Sequence, residues 1–162
     1  MEKWDLYDAN RSVIGEHIRG IELSANSYHL VVHVWIKNSQ GKYLMSQRAK
    51  NRPTFPLMWE CVGGSVLKGE SSLQGALRET KEEVGVTLSA QNGKLIFSKI
   101  REQFNDIVDV WLFTYDGNVS LKNAETDEVE QTVWLDRNGI MKLKQENKLV
   151  DTLYYFFDMD DK

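Results

Sequence analysis

The chain has 162 residues, 41% hydrophobic and 27% charged, which excludes a disordered polypeptide and a coiled coil and predicts one folded domain. A formal net charge of −4 argues against a general nucleic-acid binder, and no apolar stretch approaches the ~20 residues of a membrane span. The charged start Met1-Glu2-Lys3-Trp4-Asp5 lacks the apolar region of a secretory signal, and a single cysteine, Cys61, fits a reducing compartment, so a cytoplasmic protein is expected.

Trp4 to Tyr7 and Val13 to Ile18 are strand-like runs around a turn at Asp8-Ala9-Asn10-Arg11. Residues 1–27 are therefore expected to form a hairpin extension, and a candidate homodimer arm, ahead of a core over 28–157. Tyr28 to Ile36, rich in β-branched and aromatic residues, is the strongest strand, and the polar turn Asn38-Ser39-Gln40-Gly41 leads to its expected partner, Tyr43 to Arg48. A loop around Pro53 and Pro56 precedes a strand from Met58 to Val62. The pair Gly63-Gly64 follows, where the missing Cβ permits unusual backbone angles and close approach of a ligand.

Ser71 opens a helix, with Gln74 placed to complete a capping box and Gly85 at the C-cap. Leu73, Ala76, Leu77 and Val84 recur at helical spacing as its buried stripe. Further strands are predicted at Leu95 to Ile100, Ile107 to Tyr115 and Gln131 to Leu135, then a helix from about Asn138 to Phe157. Strands and helices in mixed order point to an α/β layered fold rather than a doubly wound sheet.

At 100° per residue Glu79, Glu82 and Glu83 fall within an arc of roughly 100°, beside the apolar stripe. Like charges at these spacings cost a few tenths of a kcal/mol per pair, and one Arg78 cannot neutralise three carboxylates. A hard divalent cation can, because Mg²⁺ accepts carboxylate oxygens and keeps positions for water and substrate phosphate. Taken alone, the helix leaves a solvated acidic face as the other reading.

The string from Gly64 to Val86 resembles the Nudix box, G-x5-E-x7-R-E-U-x-E-E-x-G-U, where U is a bulky aliphatic residue. Gly64, Glu70, Arg78, Glu79, Glu82, Glu83, Gly85 and Val86 stand at the matching positions, and only Thr80 departs, on the buried side. The resemblance covers about residues 28–157 and implies an α/β/α sandwich around a mixed sheet, with the box as a loop-helix-loop. It also implies a Mg²⁺ or Mn²⁺ enzyme that hydrolyses a nucleoside diphosphate linked to another moiety, with a phosphorylated small molecule as partner. By the same resemblance Glu79, Glu82 and Glu83 are metal ligands, Glu79 orients or deprotonates water, Glu70 and Arg78 brace the loop, and the Gly63 carbonyl reaches the metal. Glu128, just ahead of the strand containing Trp134, is the candidate carboxylate outside the box. Asp106 and Asp109 are weaker candidates, and Arg48 is a candidate phosphate contact.

The N-terminal half also resembles the isopentenyl diphosphate isomerase branch, through Trp4 to Asp8, His29 to Trp35 and Gln47-Arg48. Gly63 and Ser65 stand where such an isomerase carries its cysteine and histidine, so isomerase chemistry is the alternative and hydrolysis the main expectation. Cys61, His29 and His33 are read as packing residues. A silent nucleotide-binding module is a third reading, disfavoured by the intact box. After Val86 no proline occurs, so the prolines that accompany many ADP-ribose and NADH pyrophosphatases are missing.

Overall fold

The structure, a computed structural model, describes residues 1–159. β1 (Lys3–Tyr7) and β2 (Val13–Ile18) pair antiparallel as a hairpin. Its turn is closed by the Asp8 carboxylate, which accepts from the backbone of Asn10 and Ser12, with Arg11 at φ 63°. The hairpin docks on the rest of the chain. Trp4 stacks on His29 with ring centroids 4.1 Å apart, and the Lys68 amide donates to the Lys3 carbonyl at 2.8 Å.

β3 (His29–Lys37) runs parallel to β8 (Asp106–Thr114), which pairs antiparallel with β7 (Gly93–Arg101). Along its other edge, β3 pairs through Val31–Val34 with β6 (Val62–Ser65). β4 (Tyr43–Arg48) meets β3 only at Lys37 and Tyr43, and pairs instead with β9 (Val129–Leu135) and β5 (Trp59–Glu60). The expected β3–β4 hairpin thus opens after its turn, because β6 takes the place beside β3. For the same reason the single strand expected from Met58 to Val62 breaks at Cys61, its first half on β4 and its second on β3. Gly63 and Gly64 lie within β6, extended rather than turning.

Alternation along β3 sends Leu30, Val32, Val34 and Ile36 to one face of this mixed sheet, where they pack with Ala76 and Val84 of α1 (Ser72–Val84). Trp35 joins Val108 and Val110 on the other face, beneath Ile140 of α2 (Arg137–Gln145) and Phe156 of the 3-10 segment Asp151–Asp158. The result is an α/β/α sandwich. Each fully buried large side chain contributes about 1.5–3 kcal/mol.

The capping box forms as expected: Ser71 Oγ accepts from the Gln74 amide at 3.1 Å, and Gln74 Oε1 from the Ser71 amide at 2.8 Å. Gly85 closes the helix at φ 71°. Thr80 is fully buried and satisfies its hydroxyl by donating to the Ala76 carbonyl at 2.8 Å. The helix expected from Asn138 to Phe157 is interrupted after Gln145. Asn147 turns at φ 56°, and the chain is drawn onto Trp59, whose amide donates to the Lys148 carbonyl and whose carbonyl accepts from Val150. No helix among the described residues is long and apolar enough to cross a membrane.

Candidate active site

Arg78 is the hub of the loop-helix-loop. Its Nε donates to Glu70 at 2.7 Å, its Nη2 to Glu70 and to the Ser65 carbonyl, and its Nη1 to Glu79 and Glu82 at 3.1 Å each. Glu70 in turn accepts from the Leu67 amide at 2.8 Å. One guanidinium thereby ties the loop to the helix and fixes two of the three helix carboxylates.

The Glu79 side chain is 13% exposed, and burial raises its carboxyl to about 7 against the pull of Arg78. Gly64 makes room for it, since a Cβ there would stand 2.4 Å from Glu79 Cδ. Close approach, not backbone angle, is what requires glycine. Glu83 is buried, and desolvation, then Glu60, Glu79 and Glu128, push its carboxyl well above the usual range, with Arg52 the opposing charge.

Glu79, Glu82 and Glu128 line one cleft of about 170 Å³ with Gly63, Gly64 and Arg52, and the hairpin adds Glu2 and Arg19 to its wall. Arg52 pairs with Glu128 at 2.9 Å. A second arm of about 190 Å³ shares Val31, Arg52, Gly63 and Gly64 with the first and adds Arg48, Glu60 and His33. Arg52 and Glu60 are the residues that sequence reasoning missed. No motif spacing marks them, and only the pairing of β5 with β4 brings Glu60 into the groove.

Arg48 borders that groove but does not stand free. Its Nη1 donates to Glu60 at 2.9 Å, while Nε and Nη2 hold Thr54, so it organises the 52–58 loop. Asp106 and Asp109 lie away from the helix carboxylates. Asp106 is paired twice with Arg101, and the fully buried Asp109 takes two bonds from Arg11 of the hairpin and one from Ser98. Neither completes the acidic cleft.

Among the described residues no three Asp, Glu, His or Cys side chains converge in a metal-holding arrangement; Arg78 Nη1 stands between Glu79 and Glu82. The donor set still fits a hard divalent ion. It is all carboxylate oxygen, it gathers Glu60, Glu79, Glu83 and Glu128 within mutual repulsion, and Gly64 leaves open the space before Glu79 that a Cβ would fill.

The isomerase alternative is set aside. Cys61 is 2% exposed, and burial drives its thiol well above the ordinary value, the opposite of an activated thiolate. His29 is held by the Trp4 stack, and His33 Nδ1 lies 2.8 Å from the Tyr155 hydroxyl.

Fold and site together define a class, an α/β/α sandwich whose acidic, arginine-braced helix faces a groove in the sheet. The chain belongs to the NUDIX domain family, which it matches over residues 27–156. It is 37% identical over 159 residues to the uncharacterized Nudix hydrolase lin0387 of Listeria innocua, covering 97% of this chain and 91% of that one. It is 35% identical, over the same shares, to the uncharacterized Nudix hydrolase lmo0368 of Listeria monocytogenes. The crystal structure of DR0079 from Deinococcus radiodurans has the same fold, with a TM-score of 0.74 over 92% of each chain at 21% identity. The chain is accordingly a Nudix hydrolase, an enzyme acting on phosphoric anhydrides.

Proposed function

We propose that the chain catalyses Mg²⁺-dependent hydrolysis of the diphosphate bond in a nucleoside diphosphate-linked or related small molecule, with Mn²⁺ able to substitute. The observation that carries this reading is the buried Glu83 beside the elevated Glu79, a concentration of carboxylates that folding alone does not reward.

Glu79, Glu82 and Glu83, with the Gly63 carbonyl and Glu128 across the cleft, are the groups that would hold the cation. When bound, the ion polarises the diphosphate, neutralises charge on the leaving phosphate and lowers the pKa of water. Arg78 holds Glu79 through Oε1 and so orients the carboxylate that would bind the cation and orient or deprotonate the attacking water. Glu70 and Arg78 hold the loop against the helix and so keep the carboxylates oriented. Arg52, which lines both arms of the groove and pairs with Glu128, would meet substrate phosphates there with positive charge.

The test is incubation with ADP-ribose, dinucleoside polyphosphates, nucleoside triphosphates and isoprenoid diphosphates, with Mg²⁺, Mn²⁺ or chelator. Metal-dependent release of phosphate or a nucleoside monophosphate is expected. Binding without turnover across the panel, or double-bond migration in isopentenyl diphosphate, would overturn the reading.

A further inference from the structure

A further cavity borders the second arm of the groove. His33 and Thr152 line that arm and also a cavity of about 240 Å³ on the sheet face opposite α1. Nothing in the hydrolytic step uses this cavity, and its chemistry differs from that of the acidic cleft. Its floor is Val108 with the rings of Phe97 and Tyr155, edge to face at 5.2 Å. Phe104 stands at the rim, 45% exposed, with the Arg101 guanidinium 4.7 Å from its ring centroid.

The charged part of the polar wall is made of donors. Arg101 commits Nε and Nη2 to Asp106 at 2.8 and 2.7 Å, which leaves Nη1. Lys99 is an exposed ammonium with no ion pair among the described residues. Trp35 Nε1 donates to the Tyr155 hydroxyl at 3.0 Å, so the arrangement that satisfies all three groups has Tyr155 donating to His33 Nδ1, and the proton of His33 sits on Nε2. Gln103 and Thr152 are neutral and can accept as well as donate, while no carboxylate lines the cavity, so its only charges are cationic donors.

Aromatic rings offer a planar group a stacking surface, and a wall whose charged groups are all donors favours an edge of acceptors. The O6 and N7 of a 6-oxopurine present two acceptors side by side; the amino group of adenine sets a donor against donors. We propose that this cavity is a base-recognition subsite that takes an oxo-substituted nucleobase, a 6-oxopurine in preference to a 6-aminopurine. The phosphates would then run along the groove past Arg52 to the helix carboxylates. The placement of the phosphates rests on the hydrolase reading above; the preference for the base does not.

Inosine and adenosine have the same sugar and differ at C6 in a carbonyl against an amino group, so they isolate the proposed contact without a phosphate or a metal. Their binding to the metal-free full-length chain is to be measured by ligand-observed NMR titration. Inosine is expected to bind at least about fivefold more tightly than adenosine. Lys99→Met should remove most of that preference, and Phe104→Ala should weaken both nucleosides by about fivefold or more. Both residues are exposed, so melting temperatures should stay at the wild-type value. Equal binding of the two nucleosides, no binding of either, or a preference untouched by Lys99→Met would overturn the subsite. If the substrate panel shows no hydrolysis while inosine is preferred, the hydrolase reading falls and the subsite stands; hydrolysis with equal nucleoside binding has the reverse meaning.

Discussion

Gly64→Ala would place a methyl group 2.4 Å from both Cδ and Oε1 of Glu79 and 2.7 Å from Oε2. Ordinary contact between such atoms is about 3.4 Å, so the carboxylate must retreat by about 1 Å. The backbone raises no objection, because Gly64 is extended within β6 and any residue adopts that conformation. What moves is the far end of a flexible side chain, and its retreat stretches one bond, that from Arg78 Nη1, now 3.1 Å. Losing that bond costs about 1 kcal/mol, which in a domain of this size lowers the melting temperature by about 2–4 °C. A catalytic group misplaced by about 1 Å costs about 100-fold in rate. The variant should therefore melt within a few degrees of wild type while kcat for metal-dependent hydrolysis of the best panel substrate falls by about two orders of magnitude. Calorimetry and steady-state kinetics on one preparation read both numbers. Wild-type kcat in a folded variant would refute the placement of Glu79 in the reaction.

Three further outcomes follow from the charge arrangement. Glu83→Gln removes a carboxyl that burial already disfavours in its charged form, so the metal-free variant should be at least as stable as wild type. Its turnover should fall more than about 100-fold and its thermal stabilisation by Mg²⁺ should shrink; an undiminished Mg²⁺ shift would show that Glu83 is not a ligand. Arg11→Ala strands Asp109, which is fully buried, and should cost about 1–3 kcal/mol, discounted because the Arg11 side chain is 40% exposed. Hydrogen exchange should rise first in β1 and β2, and unchanged protection there would count against the pair as the hairpin's anchor. Burial lowers His33 from 6.5 to about 3, so protonation favours the unfolded chain. Its stability contribution is complete above about pH 6.5 and is lost as pH falls toward 3, at about 1.4 kcal/mol per unit. Urea midpoints at pH 7, 6 and 5 should fall less steeply in His33→Gln, and parallel slopes would refute the assignment.

The helix and its carboxylates were legible because their determinants are local. Ser71, Gln74 and Gly85 act within a turn of their own positions, and the 100° step alone sets Glu79, Glu82 and Glu83 on one face. Net charge was a poor guide: from Glu70 to Glu83 the chain has four acids and two bases, while Glu125 to Glu130 carries four acids and no base and by itself equals the total of −4. What stayed hidden depends on partners distant in sequence. Nothing near Arg48 announces that Glu60 and Thr54 will occupy its guanidinium, and nothing after Gln145 announces that Trp59 will draw the backbone out of the helix.

The second half of the acidic cluster shows why such features escape a linear reading. Glu60 and Glu128 are far apart in sequence, yet both reach the groove through strands that pair with β4: Ser46 faces Glu60, Gln47 faces both Trp59 and Gln131, and Arg48 faces Val129. A slip of one residue in the β4–β5 ladder would turn Glu60 to the other face of the sheet, away from Arg48 and Glu83. That register is held by Arg48 itself, whose amide donates to the Met58 carbonyl while its guanidinium grips Glu60. The residue read from sequence as a phosphate contact thus acts one step earlier, by aligning the strand that carries a carboxylate toward the helix.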